Sequence, residues 1–588
     1  MFDTVLVANR GEIALRVMRA CRELGLRTVA IYSEADRNAP HMRYADAAYL
    51  VGPGPSIESY LRGDKIIEIA KEAGAGAIHP GYGFLAENAD FAQAVLDAGL
   101  VFIGPPPEAM RRMGGKVAAR REAMAAGVPI VPGVQEPVQD LATARELAAQ
   151  FGFPLAIKAV SGGGGRGLRV VRSFDELENA FDSARREALS AFKDDSVYIE
   201  RYLDRPRHIE IQVLADSYGH AVHLGERECS IQRRHQKLIE EAPSTAISPE
   251  LRAEMGAAAL RLVASVGYVG AGTLEFLYQD GEYFFLEMNT RIQVEHTVTE
   301  MVYGFDLVQA QIKIAQGERL SVTQAELIPR GHAIECRINA EDAGANFRPV
   351  LGTLGSYSEP SGFGVRVDSG VCAGWTIPQY YDSMLAKLIT WGRTRHEAIG
   401  RMQRALADYR IEGVTTLIPF HQAALAQPAF LEGDTTVNFI AQHPQVQVSG
   451  PSNGEVSLPA DEPRSEPRRF EVEVNGKFFA VRVAEVGQPA SNGSSPTKSS
   501  AASKRAKTNS SLPKQASNEI RSPIQGTIVA IRAQAGQQVE AGAVVFVVEA
   551  MKMENEISAP HAGTLAEIKV TVGATIEAGA LLALYAEA

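Results

Sequence analysis

The sequence predicts an α/β protein over residues 1 to about 445, followed by a small all-β module at the end of the chain. Three observations predict this. Short apolar runs alternate with helical periodicity along the first part. The composition then breaks between about 449 and 517. The last 70 residues repeat themselves. At the start, Val5-Leu6-Val7-Ala8 reads as a buried strand, Asn9-Arg10-Gly11 as a turn, and Ile13, Leu15, Val17, Met18 and Cys21 as one face of a helix that Gly25 terminates. Thr28 to Tyr32 supplies a second strand, which makes a βαβ opening. Its first turn lacks G-x-G-x-x-G, so no dinucleotide site is expected there.

Residues 449 to 468 carry Pro451, Pro459, Pro463 and Pro467 among Ser, Asp and Glu, the composition of a linker. Residues 470 to 485 alternate apolar and polar around Asn475-Gly476, a hairpin signal. Residues 487 to 517 hold Leu512 as their one large apolar side chain, so a flexible linker is expected. Its 31 residues would span roughly 30 Å root-mean-square, within a contour of about 100 Å. In the terminal module Pro523, Gly526, Thr527, Ile531, Gly536, Glu540, Ala541 and Gly542 recur 37 positions later, from Pro560 to Gly579. Two such halves can bury their apolar faces on each other as a β-sandwich. The segment Glu549-Ala550-Met551-Lys552-Met553-Glu554-Asn555 joins them, with Lys552 near the tip of an exposed bend.

Composition excludes several classes. The 588 residues carry 59 Lys plus Arg against 70 Asp plus Glu, a net charge of −11, which argues against nucleic acid or an anionic membrane as the main partner. Apolar residues make up 45%, ordinary for a globular chain with large cores, and no run of 18 apolar residues exists. Cys21, Cys229, Cys336 and Cys372 are scattered without a C-x-x-C pair. A disulfide scaffold and a cysteine zinc site are therefore not expected, a reducing compartment is, and the N-terminus has no secretory pattern. The protein is expected to be cytoplasmic.

Four stretches carry chemistry. In Glu287-Met288-Asn289-Thr290-Arg291-Ile292-Gln293-Val294-Glu295, the polar residues Glu287, Asn289, Arg291, Gln293 and Glu295 share one face if the chain is extended. The runs Thr273–Tyr278 and Tyr283–Glu287 flank Asp280-Gly281. A three-residue loop, Asp280 to Glu282, would set Glu275 opposite Glu287, an unfavourable pairing unless a cation sits between them. Glu, Glu and Asn oxygens suit Mg²⁺; a two-residue loop would put the carboxylates on opposite faces. In Lys158 to Gly167, glycines around Gly164 and Gly165 let backbone N–H groups approach phosphate oxygens, without the ending of a Walker loop. Glu226 to Lys237 packs many charges into a short span: a surface helix of no special note, or a site lining that supplies donors for anions. Lys552 lies between two methionines at the symmetric point of the repeat, accessible to a modifying enzyme.

In combination these stretches resemble a known family. V-A-N-R-G-E-I-A at 7–14, H-P-G-Y-G-F-L-A-E-N at 79–88, M-G-G-K at 113–116, the glycine loop, Q-R-R-H-Q-K at 232–237, E-M-N-T-R-I-Q-V-E-H at 287–296 and E-C-R-I-N-A-E-D at 335–342 are similar to biotin carboxylases of the ATP-grasp superfamily. E-A-M-K-M-E-N resembles the attachment site of biotinyl carrier domains. Together they make the chain similar to the α subunit of a biotin-dependent acyl-CoA carboxylase of the acetyl- or propionyl-CoA type.

The resemblance implies an α/β (α+β) fold with a Rossmann-like N-terminal domain at 1–114, an ATP-grasp domain at 115–330 and a carboxylase C-terminal domain at 331–445. A linker at 446–469, a short hairpin at 470–486 like the beginning of a docking domain and a flexible linker at 487–518 would follow. The last element would be an all-β biotinyl domain, a flattened barrel-sandwich, at 519–588. Biotin on Lys552, ATP and Mg²⁺ (or Mn²⁺) are the implied cofactors. Lys116, Lys158, Glu200, Leu203 and His208 match ATP-binding positions, with Gln232 and His235 from the Q-R-R-H-Q-K stretch beside them. Gly164 and Gly165 match the lid over the phosphates, and Glu275, Glu287 and Asn289 the metal ligands. Lys237, Arg291, Gln293 and Val294 match the bicarbonate pocket, Glu295 the base that deprotonates bicarbonate, and Arg337 the cation that stabilises the biotin enolate. Bicarbonate and the γ-phosphoryl group would form carboxyphosphate, whose CO₂ carboxylates biotin. Carboxybiotin would pass to a separate carboxyltransferase β subunit within a larger multi-subunit complex, after a biotin protein ligase has loaded Lys552. Gly115 stands where an Asp is often found, and Ser161 replaces one glycine of a longer run. An ATP-grasp ligase joining a carboxylate to an amine is the rival enzyme, against which the carrier tail speaks. A carrier with a dead ATP site is the rival from another class, against which the full polar set speaks.

Overall fold

A computed structural model describes residues 2–134, 137–138, 140–159, 168–192, 196–449, 468–474, 477–483, 518–523, 526–550, 553–577 and 579–586. Gly164, Gly165, Lys552 and most of both expected linkers lie outside the described residues. The chain divides into two units, taken in turn.

The first begins with β1 (Thr4–Val7), α1 (Gly11–Glu23), β2 (Arg27–Ser33), α2 (Pro40–Tyr44), β3 (Ala47–Gly52), α3 (Gly63–Glu72), β4 (Ala77–His79), α4 (Ala89–Asp97) and β5 (Val101–Phe102). The strands form a parallel sheet in the order β3-β2-β1-β4-β5, the Rossmann-like topology expected. All four residues of β1 are buried, as a strand covered on both faces requires. The strand order reverses between β1 and β4, which opens a crevice at their carboxyl ends. There Asn9 Nδ2 donates to the Pro80 carbonyl at 2.7 Å and the Tyr82 carbonyl at 2.8 Å, locking the two loops together.

Helices α5 (Pro107–Gly114) and α6 (Lys116–Ala125) lead into a small layer. Here α7 (Leu141–Phe151) and α8 (Phe174–Phe192) accompany a sheet of β6 (Leu155–Ala159), β7 (Leu168–Val171) and β8 (Val197–Arg201), ordered β7-β6-β8. Its own core includes Ala144, Leu155, Ile157, Leu177, Phe181 and Ile199.

The centre of the first unit is an antiparallel sheet of eight strands. It comprises β9 (Arg207–Ala215), β10 (Ala221–Arg233), β11 (Gln236–Ala242), β12 (Gly270–Gln279), β13 (Glu282–Asn289) and β14 (His332–Asn339). After the short segments β15 (Glu341–Asp342), β16 (Arg348–Pro349) and β17 (Tyr357–Ser358) come β18 (Val365–Ser369) and β19 (Met384–Gly392). The order is β13-β12-β9-β10-β11-β14-β19-β18. Helices α9 (Pro249–Ser265), α10 (His296–Tyr303), α11 (Leu307–Ala315) and α12 (Arg395–Asp408) surround it. The expected boundary at 330/331 does not divide this sheet. β11 and β14 pair directly, Ile239 with Cys336 and Glu240 with Glu335, so the ATP-grasp and C-terminal segments share one hydrogen-bonded layer. Segment β20 (Arg410–Ile411) pairs with β17.

The second unit contains an antiparallel hairpin, β21 (Arg468–Val474) and β22 (Lys477–Val483), where the alternation predicted one. Its carrier portion has β23 (Glu519–Arg521), β24 (Gly526–Ile531), β25 (Gln538–Val539), β26 (Val544–Ala550), β27 (Met553–Ser558), β28 (Gly563–Ile568), β29 (Thr575–Ile576) and β30 (Leu581–Tyr585). They form two four-stranded sheets, β23-β30-β28-β25 and β27-β26-β24-β29. The 37-residue repeat is visible in the pairing. Gly526 faces Ile576 and Thr527 faces Thr575; 37 positions away, Gly563 faces Val539 and Thr564 faces Gln538. The repeated glycines share a left-handed backbone, φ +84° at Gly536 and +88° at Gly573, which other residues rarely adopt. β26 ends at Ala550 and β27 begins at Met553.

Candidate active site

One row of charged residues crosses four strands of the central sheet. Glu287 on β13 faces Glu275 on β12, Glu275 faces Glu210 on β9, and Glu210 faces Arg227 on β10. Three carboxylates in line are tolerable only with cations among them. Lys237, on β11, supplies the central one. Its Nζ donates to Glu210 Oε2 at 2.6 Å, Glu275 Oε1 at 2.9 Å and Glu295 Oε1 at 2.6 Å. Burial works against this ammonium, but Glu210, Glu295 and Glu275 outweigh it and hold the group charged well above the usual lysine range.

Arg227 has a side chain with no exposed surface, and every N–H of its guanidinium is used. Nε donates to Glu210 Oε1 at 2.6 Å. Nη1 donates to Gln212 Oε1 at 2.6 Å and Thr299 Oγ1 at 3.0 Å. Nη2 donates to Thr273 Oγ1 at 3.1 Å and Gln293 Oε1 at 2.7 Å. It thus orients Gln293, whose Nε2 in turn donates to Glu275 Oε1 at 2.7 Å.

Glu295 caps the start of α10 and is buried. Its Oε1 accepts from Lys237 and its Oε2 from Arg337 Nη2 at 3.0 Å. Burial would raise its pKa, yet Lys237, then Arg337 and Arg227, hold it well below the ordinary carboxylate range. Arg337 also donates from Nε to Glu240 Oε1 at 2.6 Å. Burial pushes the Glu240 carboxyl up to about 8 against the pull of Arg337, and the facing Glu335 up to about 7 against Lys387.

The extended polar face expected from 287 to 295 is corrected by the structure. β13 ends at Asn289, and residues 290–295 turn toward α10. β13 is the edge strand, and the turning backbone finds its partners elsewhere. The Thr290 N–H donates to Glu87 Oε1 at 3.0 Å, and Arg291 Nε to Glu87 Oε2 at 2.9 Å. Arg291 Nη2 reaches Asn289 Oδ1 at 2.7 Å. The expected three-residue loop at 280–282 is also corrected. Gln279 pairs with Glu282 around a two-residue turn, Asp280 and Gly281, at φ +52° and +89°. A β-bulge between Glu275/Glu287 and Phe276/Phe285 restores the facing of the two glutamates that such a turn would otherwise destroy.

Glu275, Glu287 and Asn289 therefore stand on two paired strands, with Asn289 Nδ2 bonded to Glu275 Oε1 at 2.8 Å. This all-oxygen set, with two carboxylates facing each other, fits a hard divalent cation. His208 on β9 lies 3.0 Å from Glu275 Oε2 through Nε2, and Gln232 Nε2 is 3.5 Å from its Nδ1. The stretch 226–237 is not a helix but the end of β10, a turn and the start of β11. Arg234 and His235 form the turn, at φ +48° and +68°, with His235 exposed. On the small layer Lys158 pairs with Glu200, and Leu203 is buried just beyond β8. Lys116 opens α6, and its side chain lies outside what is described.

Arg291, Val294 and Arg337 line a cavity of about 270 Å³ together with Arg10, Tyr82 and Phe84 from the loops after β1 and β4. Arg10 is fixed by Asp36 at 2.6 Å and lies 4.3 Å from the Tyr381 ring centre.

Four stretches of the chain match known families. Residues 1–110 match the biotin carboxylase N-terminal domain, and 115–323 the ATP-binding domain of the carbamoyl-phosphate synthase L chain. Residues 335–442 match the biotin carboxylase C-terminal domain, and 518–584 the domain described as biotin-requiring enzyme. Biotin carboxylase 1 of Bacillus subtilis is 53% identical over 442 residues, 75% of this chain and 98% of its own. The chain belongs to the biotin carboxylase family. The biotin-dependent acyl-coenzyme A carboxylase alpha3 subunit of Mycobacterium leprae is 46% identical over 556 residues, 94% of this chain and 93% of that one. Among solved structures, the biotin carboxylase subunit of a pyruvate carboxylase superposes with a TM-score of 0.72 at 48% identity, covering 76% of this chain and all of that one. The biotin carboxylase domain of a thermophilic 2-oxoglutarate carboxylase gives 0.73 at 45%, with the same coverage.

This biotin carboxylase thus carries its own biotinyl domain, and its activity is the ATP-dependent carboxylation of biotin. The sequence reading located most of the polar set but missed Glu87, Arg227, Glu210 and Glu240. Glu87 sits inside the H-P-G-Y-G-F-L-A-E-N stretch. Glu210 was legible in the alternation of His208, Glu210 and Gln212 with Ile209, Ile211 and Val213, a strand with one polar face.

Proposed function

We propose that the chain performs the first half-reaction of an acyl-CoA carboxylase, with bicarbonate handled by Lys237, Arg291, Gln293, Val294 and Glu295. The observation that carries the site assignment is the suspension of Glu295 between Lys237 and Arg337. A carboxylate held this way is ionised at neutral pH, but both its oxygens are committed to cations, so it is a weak base. An incoming bicarbonate competes for Lys237 and Arg291. As Lys237 turns toward that anion, Glu295 loses a cation, its proton affinity rises, and it takes the bicarbonate proton. Arg227 keeps Gln293 in place throughout, because its own five donors are spent.

ATP is held by the small layer, with Lys158 and Glu200 on adjacent strands and Lys116 at the start of α6. Glu275, Glu287 and Asn289 would hold Mg²⁺, which supplies charge neutralisation between the phosphate oxygens. Arg337 faces the 270 Å³ cavity, where a buried guanidinium would stabilise negative charge developing on a ureido oxygen. Lys552 is the carrier lysine, and the carried carboxylate passes to a separate carboxyltransferase subunit.

The acyl-CoA assignment rests on the similarity to the Mycobacterium leprae protein, which runs through the carboxylase and the biotinyl domain alike. Purifying the biotinylated chain with its native partner, and measuring carboxylation of acetyl-CoA, propionyl-CoA, pyruvate and 2-oxoglutarate, tests it. Turnover of an acyl-CoA alone is the expected result. Turnover of either keto acid in its place would reassign the second half-reaction.

A further inference from the structure

Residues 290–295 make no ladder hydrogen bonds, so tethers from outside set their shape. Glu87 holds the beginning and Arg227 holds Gln293. The Gln293 carbonyl accepts from His296 Nδ1 at 2.7 Å. The last tether comes from the far side of the sheet. Lys387, on β19, donates from Nζ to the Val294 carbonyl at 2.8 Å. Its side chain has no exposed surface.

Two features set this lysine apart from a buried ion pair. Lys387 stands directly opposite Arg337 in the β14–β19 register. Neighbouring cations on neighbouring strands therefore grip consecutive residues, Arg337 the carboxylate of Glu295 and Lys387 the carbonyl of Val294. The counter-ions of Lys387 are also loose. Glu12 Oε1 is 3.3 Å away and Asp368 Oδ2 4.0 Å, and Asp368 is engaged by Arg366 at 2.7 Å. The contact of Nζ with the Val294 carbonyl, at 2.8 Å, is shorter than either of these. A pair kept only for stability would be better replaced by apolar side chains, since burying an ammonium is costly.

We propose that Lys387 is a positioning residue for bicarbonate: it fixes the Val294–Glu295 peptide, with Glu12 as its neutralising partner, so that the segment meets the anion preformed. This rests on the bicarbonate roles given above to Val294 and Glu295. Without the tether, the peptide must be ordered when the anion binds, and the cost falls on bicarbonate rather than on ATP.

The test uses the full biotinylated chain, with bicarbonate-dependent ATP cleavage in the presence of free biotin as the readout. Lys387→Met should raise the bicarbonate KM about tenfold, the worth of one hydrogen bond, and leave the ATP KM within about twofold. The double variant Lys387→Met/Glu12→Gln removes the ammonium together with its nearest carboxylate. It should regain melting temperature but keep the high bicarbonate KM. Recovery of the bicarbonate KM in the double variant would reduce Lys387 to charge balance and overturn the proposal. So would a normal bicarbonate KM in Lys387→Met. If that single variant does not fold, the double variant is compared with the parent on the same readout. Failure of the underlying reading looks different: the parent would cleave ATP without bicarbonate, or Glu295→Gln would remain fully active.

Discussion

Glu295, the base of the proposed reaction, is held between two cations. Its ionised form is secured by Lys237 and Arg337, and both contacts are strong enough to keep it a poor base in the free enzyme. In the proposed reaction it would gain basicity when an anion draws a cation away, which would tie proton transfer to substrate binding. Glu295→Gln keeps the shape and most of the hydrogen bonding, but cannot take the proton. Bicarbonate-dependent ATP cleavage should fall by about 10²–10⁴-fold, while nucleotide binding, measured by titration calorimetry, stays within about twofold. Near-normal turnover would place the base elsewhere. Arg227 has a different role, although it belongs to the same cluster. Its side chain is buried and fully saturated by five acceptors, so its work is to hold Glu210 and Gln293 still.

At the scale of elements, the β11–β14 seam is where the sheet stores protons. Glu240 and Glu335 face each other across it, both without exposed surface. Their carboxyls are pushed up to about 8 and about 7 from an ordinary 4.5, mainly by burial. The sign of the consequence follows. Between pH 4.5 and these values the folded chain holds protons that the unfolded chain has lost, so stability is greatest at low pH in this window and falls as pH rises. One such proton corresponds to about 1.4 kcal/mol per pH unit. The melting temperature should therefore decline from pH 7 to pH 9, and Glu240→Gln should flatten that decline. A slope unchanged in the variant would show that other groups govern it. The seam also shows what the sequence left hidden. Glu240 and Glu335 are about a hundred residues apart, and their facing depends on the pairing of two strands that local periodicity cannot match. The bulge that realigns Glu275 with Glu287 is another such case, because it adds a residue to one strand without altering its apolar pattern.

At the scale of the whole molecule, legibility varied with how local the signal is. The βαβ opening was readable because strand, turn and helix follow each other within 32 residues. The carrier was readable because a duplicated sequence folds into duplicated pairing. The eight-stranded sheet was not, because it joins strands from two segments read as separate domains. The same facts decide where the chain can be cut. Cutting between 330 and 335 would sever β11 from β14 and leave Arg337 apart from Glu295. Cutting after 449 crosses no strand pairing among the described residues, and relatives such as biotin carboxylase 1 of Bacillus subtilis match this chain over only 75% of its length. Among the described residues the carrier strands from 518 to 586 pair with each other in two sheets and bury their own apolar residues, including Ile528, Val545, Phe546, Leu565 and Leu582. A fragment of residues 1–449 should therefore carboxylate free biotin with a kcat/KM within about twofold of the full chain, a difference of well under 1 kcal/mol. A fragment of residues 518–588 should melt cooperatively and accept biotin from a biotin protein ligase at Lys552, read as one added mass that Lys552→Ala abolishes. Loss of free-biotin carboxylation in the larger fragment, with its melting temperature unchanged, would show that the carrier completes the active site and is more than its cargo.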